Sequence, residues 1–91
     1  MFEVEIEHAF RITGRGYVIV GEVLARETVL RNGDFLRIRE NEEQTVQVKA
    51  IEMVNFGSRT PTFNKIGLFV GLSEEESKAL VGKHLYKNEE E

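Results

Sequence analysis

Apolar and polar residues alternate along the first twelve residues of the chain. The apolar or aromatic side chains occupy the even-numbered positions: Phe2, Val4, Ile6, His8, Phe10 and Ile12. A period of two is typical of a β-strand with one buried and one solvated face. We therefore predict a long first strand whose even-numbered side chains, including those of His8 and Phe10, point inward.

Similar short patterns, separated by turn signals, continue along the rest of the chain. They predict further strands over 17–24, 35–39, 46–53, 66–72 and 84–86. Gly14 and Gly16 mark a tight turn before the second strand, and Asn32 with Gly33 marks another, because these residue types tolerate positive φ. Gly21 lies inside a strand pattern and predicts a bend or bulge there, as is typical of small barrels.

Three other segments have distinct patterns. The apolar positions change phase after Ala50, which predicts a bulge near that residue. The strand 66–72 is apolar on both faces, so we expect it to be central or covered. Residues 40–44 are polar and are predicted to form a connection, and 55–61 an irregular loop.

A short helix is predicted near the C-terminus. Ser73 and Glu76 have the spacing of a capping box, and acidic residues in a first turn favour the positive end of the helix dipole. The helix should span 74–80 and end at Gly82. Short strands with frequent turns favour an all-β fold, a small closed antiparallel β-barrel, since closure removes exposed strand edges. We expect one domain over 1–87 and a frayed acidic tail over 88–91.

Composition narrows the classes of partner. The formal net charge of −4 disfavours generic nucleic-acid binding, although four arginines close together in the sequence leave a local basic face open: Arg26, Arg31, Arg37 and Arg39. Charge pairing on a solvated surface is the simpler interpretation of these residues. The chain has no cysteine, no apolar run long enough to cross a membrane and no leader pattern, so we expect a cytoplasmic protein without a membrane partner.

Several ordered motifs carry a family resemblance. They are Phe10-x-Ile12-x-Gly14-Arg15-Gly16-x-Val18-x-x-Gly21-x-Val23, Gly33-Asp34-x-Leu36-x-Ile38, Ile51-Glu52-Met53, Ile66-Gly67-Leu68 with Gly71, and Gly82 with Leu85. Together they resemble the second, β-barrel domain of the translational GTPases, and elongation factor Tu most of all. The resemblance covers nearly the whole chain and implies a barrel of that type. Since no nucleotide-binding segment precedes it in the sequence, we expect no GTPase domain in this chain, which would act either alone or as part of a split factor.

The resemblance also implies contact residues. Glu52 matches the glutamate near the terminal adenosine of transfer RNA, whereas Asn55 stands where the family has arginine and Lys65 where it has asparagine. Those two departures disfavour the family's mode of binding aminoacyl-transfer RNA. Independently of the resemblance, Arg15 at a turn tip is a further candidate for partner contact, although a plain surface arginine or a cross-barrel hydrogen bond is the simpler interpretation.

Aromatic residues around the irregular loop complete the set of candidates. Phe56 and Phe63 are candidate partner anchors, whereas core packing is the expected place of Phe69. The predicted partner-binding residues are therefore Arg15, Glu52, Asn55, Phe56, Phe63 and Lys65.

No chemical motif in the sequence predicts catalysis. Gly14-Arg15-Gly16 lacks the third glycine and the following helix of a dinucleotide fingerprint, and a phosphate-binding loop is absent. His8 and His84 have no carboxylate at ligand spacing, so each is expected to be a satisfied barrel histidine rather than a metal ligand. We predict no catalytic residues, no metal and no cofactor, including no nucleotide.

The function predicted from these observations is that of a non-enzymatic binding module. Its partner would be a protein or a structured RNA, with the ribosome and transfer RNA as candidates. The alternative is a structural domain that associates with another copy of itself. A third possibility is an enzyme whose site is assembled from residues far apart in the sequence.

Overall fold

The computed structural model describes residues 1–52 and 65–88 of the chain. Six strands and one helix occupy this part: β1 (Phe2–Ile12), β2 (Gly16–Arg26), β3 (Phe35–Ile38), β4 (Asn41–Glu52), β5 (Lys65–Val70), α1 (Glu74–Ala79) and β6 (His84–Lys87). The strands pair antiparallel in the order β1-β2-β5-β4-β3-β6 and close into a barrel. The predicted all-β barrel with one short helix is confirmed.

Closure depends on the two ends of the described chain. β1 pairs with β2 on one side and with β6 on the other, where Val4 lies opposite Leu85. β6 in turn pairs with β3. β5 lies between β2 and β4, which explains why its sequence is apolar on both faces.

The barrel interior is filled by aliphatic side chains. Its fully buried members, each less than 2% exposed, include Val4, Ile6, Ile19, Leu36, Val48, Leu68, Val70 and Leu85. Branched residues of this kind suit the pleated surface of a sheet and supply most of the apolar area that the fold removes from water.

A β-bulge bends β1 where the sequence places Gly21 on the facing strand. Ile6 lies opposite Gly21 and His8 opposite Val20, so Glu7 has no cross-strand partner in the register. A Cβ atom on Gly21 would lie 2.2 Å from the carbonyl oxygen of Glu5, closer than atoms can approach. An irregularity is therefore present at the position of Gly21, but its extra residue lies on β1 and not on β2, the strand for which the sequence predicts it. The glycine permits the close approach of β1 to β2.

The bulge reverses which residues of β1 face the core. Phe2, Val4 and Ile6 are buried, but beyond the bulge Ala9 packs against the core while His8 and Phe10 are exposed. The prediction that His8 and Phe10 point inward is therefore wrong. One inserted residue shifts a strand's alternation by one position, so every later side chain changes face.

β4 contains the bulge that the sequence predicts, but it begins earlier than predicted. Val48 lies opposite Val70 and Ala50 opposite Phe69, so Lys49 is the extra residue of a bulge and the prediction near Ala50 is confirmed. The predicted polar connection over 40–44 is wrong in extent, because β4 already begins at Asn41. Asn41 lies opposite Ile38 and Thr45 opposite Arg37 on β3, and residues 42–44 form an irregularity between these two pairs.

The helix α1 begins with the predicted capping box. Ser73 Oγ accepts the backbone N–H of Glu76, and the Glu76 carboxylate accepts the N–H of Ser73. After the helix, Gly82 has a φ of +88° and donates its N–H to the carbonyl of Ile6 at 2.7 Å. The helix is thereby tied to the bulged region of β1. The predicted tail over 88–91 lies almost wholly outside the described residues and stays a prediction.

Candidate functional site

The structure describes three of the six predicted partner-binding residues. Arg15 lies in the β1–β2 turn, Glu52 ends β4 and Lys65 begins β5. The other three lie outside the described residues: Asn55, Phe56 and Phe63. Their predicted role stays a prediction.

Arg15, Glu52 and Lys65 lie on one outer surface of the barrel. Glu52 is paired with Gly67, and Lys65 is two residues from Gly67 on the same strand, so both side chains point away from the core residue Leu68. We call this surface the β2–β5 face. Its members used below are His8, Phe10, Arg15, Val18, Val20, Glu52, Lys65 and Phe69.

Arg15 is held above this face by its turn. Gly14 and Gly16 flank it with φ values of +80° and +121°, which only glycine adopts at low cost. The guanidinium carbon lies 5.2 Å from the centroid of the Phe69 ring, and Nη2 lies 3.1 Å from Glu52 Oε1. Arg15 therefore joins an aromatic ring and a carboxylate from two other strands, with its side chain still 54% exposed.

Phe69 belongs to this face and not to the core, so the expectation that it packs in the core is wrong. Leu68 and Val70, its neighbours on β5, are the residues buried inside the barrel. The Phe69 ring instead lies over Gly16, 3.6 Å from where a Cβ atom would be. Strict alternation along β5 is the sequence signal that would have placed it outside.

An apolar row crosses the face from strand to strand. Phe10 lies opposite Val18, which lies opposite Phe69. Val18 and Val20 point outward yet are only 5% and 2% exposed, whereas Phe10 is 45% exposed. The rings of His8 and Phe10 are 5.7 Å apart and tilted by 36°. The face therefore has covered aliphatic side chains at its centre and an accessible aromatic pair at one edge.

An ion pair closes the opposite end of the face. Lys65 Nζ contacts the carboxylate of Glu7, the residue inserted by the β1 bulge. Lys65 and Phe69 are four residues apart on β5, a separation of roughly 13 Å along an extended strand. The face thus has a charged pair at each end and apolar side chains between them.

A separate polar network joins β1 to β6. His84 Nδ1 lies 2.9 Å from Glu3 Oε2, and its Nε2 lies 3.4 Å from Glu5. The hydrogen bond to Glu3, opposed by burial, raises the pKa of His84 above its usual 6.5. Burial pushes the pKa of Glu3 upward, but hydrogen bonds from His84 and Arg39 outweigh it and lower that pKa. His84 is thus satisfied by two carboxylates from the neighbouring strand.

The described residues contain neither a candidate metal site nor a membrane-spanning helix. Within them, no group of three or more His, Cys, Asp or Glu side chains is placed to hold a metal ion. Over the same ranges, 1–52 and 65–88, no helix has the length and apolar character needed to cross a membrane.

Comparison with known proteins identifies the fold. No family model matches the chain, and no curated protein matches it. Among solved structures, the chain is similar to translation elongation factor SelB from Methanococcus maripaludis in its apo form, with a TM-score of 0.64 and 20% identity. The likeness covers 96% of this chain and 18% of that chain.

The fold is therefore that of a translation-factor-like β domain. At 20% identity the likeness shows the fold alone, and the chain spans less than a fifth of the length of the factor it resembles. The finer likeness to elongation factor Tu stays a prediction from the sequence motifs.

Proposed function

We propose that this chain is a non-enzymatic binding module that docks a structured RNA or a protein of the translation apparatus through the β2–β5 face. The observation that carries the proposal is the convergence of Arg15, Phe69 and Glu52, from three separate segments, beside an accessible Phe10. Aromatic and arginine side chains on a rigid sheet are the usual anchors of binding surfaces.

The chemistry of this face favours binding over catalysis. Its charged groups neutralise each other in two pairs, Arg15 with Glu52 and Lys65 with Glu7. The similarity of the whole chain to a small part of an elongation factor supports a role in translation, and with it a cytoplasmic location.

Both partner classes have support on this face. Accessible aromatic rings stack on unpaired bases, and Arg15 can turn from Glu52 to a phosphate because its own side chain is more than half exposed. The accessible Phe10 ring and the balanced charge suit a protein partner equally well.

Binding to purified ribosomes and to labelled transfer RNA tests the proposal. Ribosome pelleting and fluorescence anisotropy, at about 50 and 200 mM salt, should detect a complex in at least one assay, and ribonuclease treatment should separate RNA from protein contacts. We expect Arg15→Ala and Phe10→Ser each to weaken it about tenfold, or about 1.4 kcal/mol.

Phe35→Ser is the matched control, because Phe35 is 55% exposed on β3, away from this face. It should change binding less than twofold. Absence of any complex, or equal losses from Phe10→Ser and Phe35→Ser, would refute the proposal. Concentration-dependent dimerisation abolished by Phe10→Ser would favour the self-associating alternative instead.

A further inference from the structure

A cavity of about 490 Å³ opens at one end of the barrel, between the β3–β4 hairpin and α1. Its volume lies within the range of ordinary ligand sites, about 300–1,000 Å³. The described residues that line it are all distinct from those of the β2–β5 face, so it is a separate site and does not rest on the proposed function.

The floor of this cavity is apolar and already formed. Four aliphatic side chains line it: Ile38, Val46, Leu72 and Leu80. Ile38, Val46 and Leu80 belong to the buried core, and Leu72 packs against it. The capping box at Ser73 fixes the start of the helix that forms one wall. A large apolar side chain could enter without first unfolding any part of this wall.

The rim of the cavity is acidic. Glu40 lines it from the hairpin side and Glu76 from the helix side, against one cation among the described residues, Lys83. Outside the lining, the same elements carry both signs of charge, with Glu42, Glu43, Glu74 and Glu75 on one side of the balance and Arg37, Arg39 and Lys78 on the other. Lys78 pairs with Glu74 and the Tyr86 hydroxyl donates to Glu42, so the negative excess is that of the lining itself, where two carboxylates face one ammonium group.

We propose that this cavity is a docking site for a basic segment of a partner protein that inserts one large apolar side chain. The apolar floor supplies burial for that side chain. The carboxylates of Glu40 and Glu76 accept the backbone N–H groups of His84 and Ser73, and their negative charge attracts lysine or arginine residues of the segment. Nucleic acid is an unsuitable occupant because its phosphates would be repelled by the same rim. Asn41, Gln44 and Thr45, which also line the opening, can hydrogen-bond the peptide backbone of the segment.

A fluorescent heptapeptide, Lys-Arg-Gly-Phe-Gly-Arg-Lys, is a suitable probe for anisotropy titration with the intact chain. We expect saturable binding at low salt that weakens several-fold when the salt is raised from about 50 to 300 mM, as screening predicts. Replacing the central Phe of the probe by Ser should weaken binding at least tenfold. A probe with Glu at every basic position should not bind.

Two pairs of protein variants test whether the probe binds in this cavity. Ala79→Trp fills the cavity from the exposed helix surface and should weaken binding at least tenfold, whereas Val81→Trp, outside the cavity, should leave it unchanged. Glu40→Gln removes one rim charge and should weaken binding about threefold at low salt, whereas Glu27→Gln, on an exposed segment elsewhere, should have no effect. Circular dichroism checks that each variant is folded.

Each contrary result would overturn the inference. The first is that the basic probe does not bind up to about 1 mM. The second and third are that the Ser probe binds as well as the Phe probe, and that the acidic probe binds as well as the basic probe. The fourth is that Ala79→Trp and Val81→Trp have equal effects. A self-association that Ala79→Trp abolishes would show that a second copy of this chain occupies the cavity instead.

Discussion

Replacing Gly21 by alanine tests the closest approach of two strands in the barrel. The new Cβ would lie 2.2 Å from the Glu5 carbonyl oxygen, 2.8 Å from its carbonyl carbon and 2.9 Å from Val4 Cγ2. Two of these three atoms belong to the backbone of β1, which cannot move aside as the end of a flexible side chain can. The strands must separate at the bulge to accept the methyl group.

The expected cost follows from two contributions. Forcing extra volume into a packed site costs about 1–3 kcal/mol, and the loss of one ladder hydrogen bond costs about 1 kcal/mol. We therefore expect Gly21→Ala to reduce the free energy of unfolding by roughly 2–4 kcal/mol, out of about 5–14 kcal/mol expected for a chain of this length. The corresponding fall in melting temperature is roughly 8–30 °C.

Urea denaturation followed by circular dichroism measures this change, and Gly14→Ala is the matched control. Gly14 has a φ of +80°, but a methyl group on its Cα would meet no other atom within 4 Å, so alanine there introduces strain without a clash. Its cost should be about 1–2 kcal/mol. A loss below about 1 kcal/mol in Gly21→Ala, or one no larger than that in Gly14→Ala, would show that β1 and β2 do not approach as described.

Three further predictions concern the barrel seam, the helix and the core. Because the pKa of His84 is higher in the folded protein than its usual 6.5, the stability from its contact with Glu3 should be complete below pH 6.5 and be lost as pH rises through the folded pKa. His84→Gln should therefore narrow the difference in unfolding free energy between pH 6 and pH 9, and an unchanged difference would contradict this. Ser73→Ala should cost about 1 kcal/mol in urea denaturation by removing the helix cap, and Glu75→Gln, outside the capping box, should cost less. Leu68→Ala should cost about 2–5 kcal/mol, because Leu68 is fully buried; a smaller loss in thermal denaturation would place it outside the core.

Local sequence patterns predicted most of the strands and the short helix. The capping box at Ser73 and the turn before Asp34 depend on contacts between near neighbours, so residue spacing alone predicts them. The apolar alternation of β3 likewise placed Leu36 and Ile38 inward. Such features need no knowledge of which strands meet.

The β1 bulge could not be located from the pattern of its own strand. Even-numbered residues continue as an unbroken series through His8 and Phe10, and nothing in that series marks Glu7 as the inserted residue. The cause lies across the sheet, where Gly21 lets β1 approach and bend. Two aromatic side chains that the pattern predicts inside are consequently exposed on the β2–β5 face.

The candidate site, like the β1 bulge, depends on which distant strands pair with each other. Arg15 and Glu52 are 37 residues apart, and Lys65 and Glu7 are 58 apart, yet each pair is in contact. The motif resemblance selected Glu52 and Lys65, and the position at a turn tip selected Arg15, but neither predicted Phe69 as the ring beneath Arg15. The acidic cavity beside α1 had no counterpart in the sequence motifs.

The amino-acid order by itself determined which segments extend, where the chain turns and which stripe of each strand is apolar, because these depend on interactions over a few residues. Tertiary structure alone decided which side of β1 faces solvent beyond the bulge and which charges meet. Those outcomes depend on barrel closure, which sets the register between segments that local periodicity does not connect.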